Sequence, residues 1–190
     1  NLLGLATGFA ITLLIIQYVR FEFSYENTHE NADRLVRLTM DYMDGETVTA
    51  QDCETNPPTG ALVLKELSEV ENFTRAYPIG EPNVNIDIGN EHFILEKLFA
   101  VDNAFFDMFS YPLLYGTKKD IFKQPNQAVL TETAALKYFN KTDVVGETLK
   151  IPFSKGNVVL DIVGVVADSP PNTHLKFNML ISYPTMLSDT

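Results

Sequence analysis

The chain begins with NLLGLATGFAITLLIIQYV, residues Asn1 to Val19, a stretch without a single charged side chain. Each Lys, Arg, Asp and Glu of the sequence lies at or after Arg20. A helix of this length extends for roughly 28 Å, about the thickness of the hydrocarbon layer of a membrane. Gln17, the one strongly polar residue, lies near an end from which it can reach the interface. The stretch predicts a transmembrane helix over residues 1–20.

Two other interpretations of this segment fit less well. A buried helix of a soluble protein usually keeps a polar stripe, and a signal peptide has a basic leader and a small-residue cleavage site. The boundary here reads Gln-Tyr-Val-Arg-Phe-Glu-Phe and has no such site. Because the chain starts with Asn, we expect a fragment whose upstream flank is missing, and charge asymmetry therefore gives no orientation.

The predicted span contains features typical of helix packing and of a membrane interface. Gly4 and Gly8 form a small-xxx-small pattern, which lets two transmembrane helices approach closely. Aromatic and basic side chains at the other end are typical of the interfacial layer. We expect coupling between the membrane and the following domain at Tyr18, Arg20, Phe21 and Phe23.

Composition excludes some classes of partner. The chain has 190 residues, a net charge of −11 and 45% hydrophobic residues, enough for one domain or two small subdomains. Its longest basic cluster is Lys118-Lys119, which argues against a nucleic-acid partner. The single cysteine, Cys53, lies between Asp52 and Glu54, which disfavour a thiolate, so we interpret it as an ordinary surface or part-buried residue.

After the apolar segment, hydrophobic periodicity predicts a mixture of strands and a few helices, which favours an α+β fold. The strands predicted are 34–42, 73–77, 84–88, 93–101, 128–130, 147–151, 158–166 and 177–182. The helices predicted are 59–72, 103–109 and 131–139, the last capped by Thr131-Glu132-Thr133. Gly89-Asn90 predicts the turn between two of the strands.

A search for chemistry finds no catalytic, cofactor or metal motif. The histidines His29, His92 and His174 are far apart, and phosphate-binding loops and nucleophile elbows are missing. Carboxylate pairs such as Asp41/Asp44 and Asp52/Glu54 are interpreted as solvated charges. His29 could sense pH near the membrane, but a simple polar contact explains it better. Phe105, Phe106 and Phe109 could form a docking surface, although their helical spacing favours the core.

Several segments in order along the chain resemble permeases of the MacB/FtsX family of ABC transporters. They are 18–26 and 29–37 after the apolar helix, then 105–116, 128–139, 145–149 and 162–168 with Pro170, Asn172, Thr173 and His174. The resemblance covers nearly the whole chain.

The resemblance implies a fold of two periplasmic subdomains after the membrane helix. We expect the transmembrane helix at 1–20 and the first part of a porter-like α+β subdomain at 21–115. Residues 116–190 are expected to form a β-rich inserted subdomain and the start of the return to the porter part. The chain stops before the later transmembrane helices of such permeases, so we expect the porter part to be incomplete.

The resemblance also implies a non-enzymatic function. In this interpretation the chain lies in the inner membrane, with residues after about 20 in the periplasm, and transmits ATP-driven motion outward to export or release a substrate. Its implied partners are an ABC ATPase subunit or domain, a second permease protomer, membrane lipid and an additional periplasmic protein. No cofactor is implied. An anchored binding or sensor module without an ATPase remains the alternative.

Overall fold

A computed structural model of the protein describes residues 1–187, apart from the side chains of residues 81 and 82. It begins with helix α1, Leu2–Glu22, in which no side chain is buried. The helix has the length and composition of a membrane span, with a mean hydropathy of 2.0 over its most apolar window. The predicted helix is therefore confirmed, and it continues two residues beyond position 20.

Residues 34–72 form elements that differ from the prediction. After a 3₁₀ turn at Ala32–Arg34, strand β1, Met40–Asp44, pairs with β2, Thr47–Asp52, as an isolated antiparallel hairpin. The strand predicted over 34–42 was thus wrong in its first half, because residues 35–39 belong to neither strand of the hairpin. Residues 47–52 form a strand that was not predicted.

Helix α2 covers Thr59–Glu66 and is shorter than the predicted 59–72. It ends at Leu67, whose backbone is extended. The chain then returns so that the ring of Phe73 packs against Gly60, where an added Cβ would lie 2.4 Å from that ring.

The next two strands form a long antiparallel hairpin. Strand β3, Ala76–Ile88, joins the two strands predicted over 73–77 and 84–88, and a bulge between Ile79 and Asn83 takes up the irregular stretch between them. Strand β4, Glu91–Val101, follows the predicted Gly89 turn, where φ is +60°. The turn prediction is confirmed.

Besides a 3₁₀ turn at Lys118–Asp120, residues 102–187 add five strands and three short helices around this hairpin. They are α3 (Phe105–Met108), β5 (Leu113–Gly116), β6 (Gln127–Thr131), α4 (Glu132–Phe139), β7 (Thr148–Phe153), β8 (Gly156–Val166), β9 (Met179–Ser182) and α5 (Tyr183–Leu187). The Thr131 hydroxyl accepts a hydrogen bond from the Ala134 N–H, so the predicted cap is confirmed. Strand β5 and helix α5 were not predicted.

Seven strands form one mixed sheet in the order β5-β8-β6-β9-β4-β3-β7, and β7 also pairs with β8. The pairings therefore close a circuit of six strands. Its interior holds a core of fully buried side chains that includes Ile86, Leu95, Leu130, Leu160 and Ile181. The mixed α+β class is confirmed. Strands from both sides of Gly116 lie in this sheet, so the sheet itself supplies no boundary there, and the expected division at 116 stays a prediction.

A second buried cluster lies at the end of the domain where the helix α1 arrives. It contains Phe105, Phe106, Tyr111, Phe122 and Phe177, with Phe109 packed against it. The expectation that Phe105 and Phe106 belong to the core is confirmed, since they are 0% and 8% exposed. This aromatic cluster supports the surface on which the segment after α1 rests.

Candidate functional site: the junction between the apolar helix and the domain

The junction comprises residues 23–34, which lead from the apolar helix to the domain. Of the four side chains predicted to couple the two parts, Tyr18, Phe21 and Phe23 are 65%, 42% and 80% exposed, and Arg20 is exposed as well. Phe21 is linked to the domain indirectly, because its ring contacts Tyr25 at 5.5 Å between centroids. The polar contacts to the domain begin at Ser24. The coupling role expected of the four side chains stays a prediction.

The first polar contact joins Ser24 to Asn172, which lies in the loop between β8 and β9. The side-chain amide of Asn172 donates to the Ser24 carbonyl at 2.8 Å and contacts its hydroxyl oxygen at 3.0 Å. The Asn172 carbonyl in turn accepts from the backbone N–H of Glu26 at 3.1 Å. These contacts begin two residues after the end of α1, which leaves little free chain between helix and domain.

Glu26 is the most highly connected carboxylate of the junction. One oxygen accepts from the His174 backbone N–H at 2.6 Å and lies 3.1 Å from the His174 Nδ1. The other oxygen accepts from the Thr173 hydroxyl at 2.8 Å. The backbone of Glu26 has φ of +59°, a left-handed conformation that costs a side-chain-bearing residue about 1–2 kcal/mol. These side-chain contacts offset that strain.

The charge of Glu26 is stabilised by its hydrogen-bond donors. Burial by itself raises the pKa of this carboxyl, but the donors from His174 and Thr173 outweigh burial and hold the pKa below its ordinary value. His29 lies near enough to add a further electrostatic contribution in the same direction. Glu26 is therefore ionised at neutral pH.

His29 is buried in the second contact of the junction, with 4% of its surface exposed. Its Nδ1 accepts a hydrogen bond from the Ser110 backbone N–H at 3.2 Å. Its Nε2 lies 3.4 Å from a Glu26 oxygen without the alignment of a hydrogen bond. The ring packs at 5.1 Å from Phe109 and 5.3 Å from Tyr111, measured between centroids. The polar contact expected for His29 is thus present, and it is a buried one.

Neighbouring groups extend this second contact. The Glu30 backbone N–H donates to the Ser110 hydroxyl at 2.9 Å, and the Asn31 side chain donates to the Asp107 carbonyl at 3.4 Å. Tyr111 connects the two contacted segments, because its hydroxyl donates to the Leu175 carbonyl at 2.8 Å. Burial raises the pKa of Tyr111, so its hydroxyl remains a neutral donor. The junction is therefore tied both to residues 107–111 and to residues 172–174, which are themselves connected.

Gly4 and Gly8 lie on α1, away from the domain. An added Cβ at either position would meet no atom of the described chain within 4 Å. The hydroxyls of Thr7 and Thr12 donate to the carbonyls of Leu3 and Gly8 within the helix, at 2.7 and 2.8 Å. These two hydroxyls are thus satisfied within the helix, as an apolar environment requires.

The other residues weighed from the sequence have ordinary surroundings. Cys53 is exposed. Asp41 accepts from Gln51 across the exposed hairpin, and Asp52 accepts from the Glu54 backbone N–H in a turn. Within residues 1–187, no group of three or more His, Cys, Asp or Glu side chains is placed to hold a metal ion. A cavity of about 350 Å³ lies beside the junction, lined by Glu30, Ser110 and Lys118 among others.

Comparison with known proteins gives this geometry a context. A family model described as the MacB-like periplasmic core domain matches residues 1–190. Among curated proteins, no sequence matches the chain. A domain assigned to a permease protein from Porphyromonas gingivalis is 25% identical with a TM-score of 0.57, over 66% of this chain and 51% of that chain.

Two other solved structures are similar in fold. The periplasmic region of MacB from Actinobacillus actinomycetemcomitans is 20% identical with a TM-score of 0.53, over 79% of this chain and 66% of that one. The extracellular domain of the noncanonic ABC-type transporter YknZ from Gram-positive bacteria is 14% identical with a TM-score of 0.51, over 70% of this chain and 67% of that one. The chain thus spans between half and two thirds of the length of these structures.

Proposed function

Since the chain belongs to the MacB-like periplasmic core domain family of ABC transporter permeases, we propose that it transmits ATP-driven motion of a membrane helix to the periplasmic domain. The observation that carries this proposal is the junction. Within two residues of the end of α1, the chain is hydrogen-bonded to the loop that contains Asn172. Five residues further on, His29 binds Ser110. A helix attached at two points can move the domain, whereas a flexible tether would absorb the motion.

The proposed location is the inner membrane, with α1 as a span and the residues after about 20 in the periplasm. The exposed apolar surface of α1 supports contact with lipid, because none of its side chains is covered by the domain. Tyr18, Arg20 and Phe23 are then interfacial anchors, and the transmission contacts are those of Ser24 to Asn31. An ABC ATPase subunit or domain supplies the energy, and this chain has no catalytic role.

A second permease protomer is the proposed partner of α1. Gly4 and Gly8 lie one turn apart with open space around them, so they offer a flat surface for another helix. An additional periplasmic protein is proposed as a further partner. The exported or released substrate is not assigned.

We further propose that residues 21–115 contain the first part of a porter-like subdomain and that 116–190 contain the inserted β-rich part. The exposed apolar residues of 36–67 support an incomplete first part. They include Val36, Met43, Val48, Leu62 and Leu67, which are 82%, 54%, 45%, 54% and 51% exposed. Apolar side chains so concentrated on small elements are ordinarily covered in a complete protein.

The test of transmission is to make the junction flexible in the full-length permease with its ATPase. Two glycines are inserted between Phe23 and Ser24. Spin labels on Cys53 of two protomers report their separation with and without ATP, in a background from which all other cysteines have been removed. We expect an ATP-dependent change in separation that the insertion abolishes. The matched control is the same insertion between Lys155 and Gly156, in an exposed turn, which leaves the change intact.

The results of this experiment distinguish transmission of motion from the alternative, an anchored sensor or binding module. An unchanged ATP response in the Phe23–Ser24 insertion would contradict transmission through the junction. A chain that copurifies with no ATPase and whose labels ignore ATP would instead be the anchored sensor or binding module.

A further inference from the structure

We propose that the junction is a proton-responsive contact in which His29 and His174 act in opposite directions. Protonation of His29 releases the contact with Ser110, and protonation of His174 strengthens the contact with Glu26. The inference rests on the proposed transmission function, because it supplies that site with a regulator, the pH outside the membrane. The proposal rests on the imidazole rings of His29 and His174, which both lie close to the carboxylate of Glu26.

The hydrogen bond to Ser110 fixes which nitrogen of His29 carries the hydrogen. A backbone N–H can only donate, so Nδ1 is the acceptor in the 3.2 Å contact. In the neutral ring Nε2 then carries the hydrogen, and it lies 3.4 Å from a Glu26 oxygen without the alignment of a hydrogen bond. A further proton must bind Nδ1, where it would point at the Ser110 N–H. Protonation of His29 therefore removes this hydrogen bond.

The groups around His29 make the release complete. The ring is 4% exposed and lies between Phe109 and Tyr111, so a charged ring without its backbone partner is costly there. Tyr111 stays neutral, because burial raises its pKa. On the segment 105–111, Asp107 faces the junction through its carbonyl, which accepts from Asn31, and its carboxylate pairs with Lys118 at 3.1 Å.

Glu26 is the fixed charge between the two imidazoles. Histidine side chains ordinarily change charge between pH 5 and 8. Glu26 itself stays ionised over this range, because its donors hold its pKa below the ordinary value. The carboxylate is therefore constant while the two imidazoles change charge.

His174 responds in the opposite direction. Its side chain is 76% exposed, and its Nδ1 lies 3.1 Å from the Glu26 oxygen that already accepts from its backbone N–H. A proton on His174 converts this contact into a charge-assisted one, which is stronger than a neutral hydrogen bond. Acidification thus shifts the attachment of the junction from Ser110 to residues 172–174, as a change in populations.

The test is hydrogen exchange of the full-length protein in nanodiscs at pH 7.5 and 5.5, corrected for the intrinsic pH dependence of exchange. One proton can change an opening equilibrium by up to about tenfold per pH unit. We expect the protection of the peptide containing Ser110 to fall by about tenfold or more on acidification, while the peptide containing Thr173 and His174 keeps or gains protection. Equal protection of the Ser110 peptide at both pH values would overturn the proposal.

Two histidine variants test whether His29 causes the pH dependence of protection at Ser110. H29Q retains an acceptor for Ser110 without a titratable ring, so its Ser110 protection should be independent of pH. H92Q replaces an exposed histidine that pairs with Asp87 away from the junction and should behave as the wild type. A pH response that persists in H29Q would contradict the assignment. Should H29Q fail to fold, ¹⁵N-histidine spectra of the wild type decide, since the proposal requires that Nδ1 of His29 gains a proton on acidification.

Hydrogen exchange is measured without ATP, so the proton response and the transmission function can be disproved independently of each other. If hydrogen exchange does not depend on pH but ATP still changes the separation of the labels, the proton response alone is disproved. A pH-dependent exchange response without any ATP-driven change removes the transmission function alone.

Discussion

The guanidinium group of Arg75 is bound by the carboxylate of Asp102 through two side-chain hydrogen bonds, at 2.9 and 2.5 Å. The Arg75 backbone N–H donates to the same carboxylate at 2.7 Å, and the Arg75 Cζ lies over the Tyr183 ring, 3.6 Å from its centre. The hydrogen bonds that Arg75 donates to Asp102 raise the pKa of Arg75. One side chain thus connects the entry to β3, the end of β4 and the start of α5.

Replacing Arg75 by Lys should destabilise the fold, because an ammonium group cannot donate two parallel hydrogen bonds or stack flat on a ring. We expect a loss of about 2 kcal/mol in the free energy of unfolding. For a chain of this size that corresponds to a fall in Tm of about 4–8 °C, measurable by calorimetry of the purified protein.

Arg34 offers the matched control. Its ion pair with Glu71 is exposed, with 63% and 75% of the two side chains accessible. Such pairs contribute at most about 1 kcal/mol and often nothing measurable. Arg34→Lys should therefore leave Tm nearly unchanged, and an equal loss in both variants would contradict the role given to the Asp102 fork and the Tyr183 ring.

Replacing Glu26 by Gln should weaken the junction in a pH-dependent way. The pKa of Glu26 is lowered in the fold, so its contribution is fully present above its ordinary value of 4.5 and is lost as the pH falls through the lower value of the folded state. We expect a loss of about 1–2 kcal/mol at pH 7, since an amide N–H would face the donors of Thr173 and His174. The difference between wild type and variant should shrink below pH 4.5.

Glu30 gives the comparison for that experiment, because its contact with Ser110 comes from its backbone and its side chain is exposed. Unfolding followed between pH 7 and pH 3 should show Glu30→Gln close to wild type throughout. A pH-independent effect of Glu26→Gln would mean that packing rather than charge is responsible.

Gly116 should not tolerate alanine. Its φ is +97°, and an added Cβ would lie 2.4 Å from the Val163 carbonyl oxygen on the adjacent strand β8. Gly146 has a similar φ of +89° and no atom within 4 Å of such a Cβ. The left-handed backbone alone costs about 1–2 kcal/mol, so we expect that loss for Gly146→Ala and roughly 2 kcal/mol more for Gly116→Ala. Equal losses in denaturant unfolding would show that the close approach to Val163 relaxes freely.

Sequence patterns predicted correctly those elements that depend on residues close together in the chain. The apolar helix, the Gly89 turn and the Thr131 cap depend on residues a few positions apart, and all three are confirmed. Resemblance to the permease family, read from short segments in order, is confirmed by the family match over residues 1–190. The strand predicted from the alternation over 34–42 was wrong in part, because a strand forms only where a partner strand lies beside it. The pairing begins at Met40, whose partner is Asp52.

The sequence predicted the candidate site at Tyr18, Arg20, Phe21 and Phe23, on the ground that aromatic and basic side chains favour membrane interfaces. That coupling role stays a prediction. The contacts that join the junction to the domain pair Ser24 with Asn172 and His29 with Ser110, separated by 148 and 81 positions. No local pattern reports such pairs. Glu26 stands out in the structure through its left-handed backbone.

Replacing Gly8 by Ile should weaken the association of α1 with a second protomer. A branched side chain at this position fills the space through which another helix would approach the backbone. Ala6→Ile adds a similar side chain on the opposite side of the helix and serves as the control. Crosslinking in native membranes, with cysteine at position 1 of each variant, should show fewer dimers for Gly8→Ile and an unchanged fraction for Ala6→Ile. If both variants crosslink as the wild type does, Gly4 and Gly8 are not the packing surface and the protomers meet through another part of the permease.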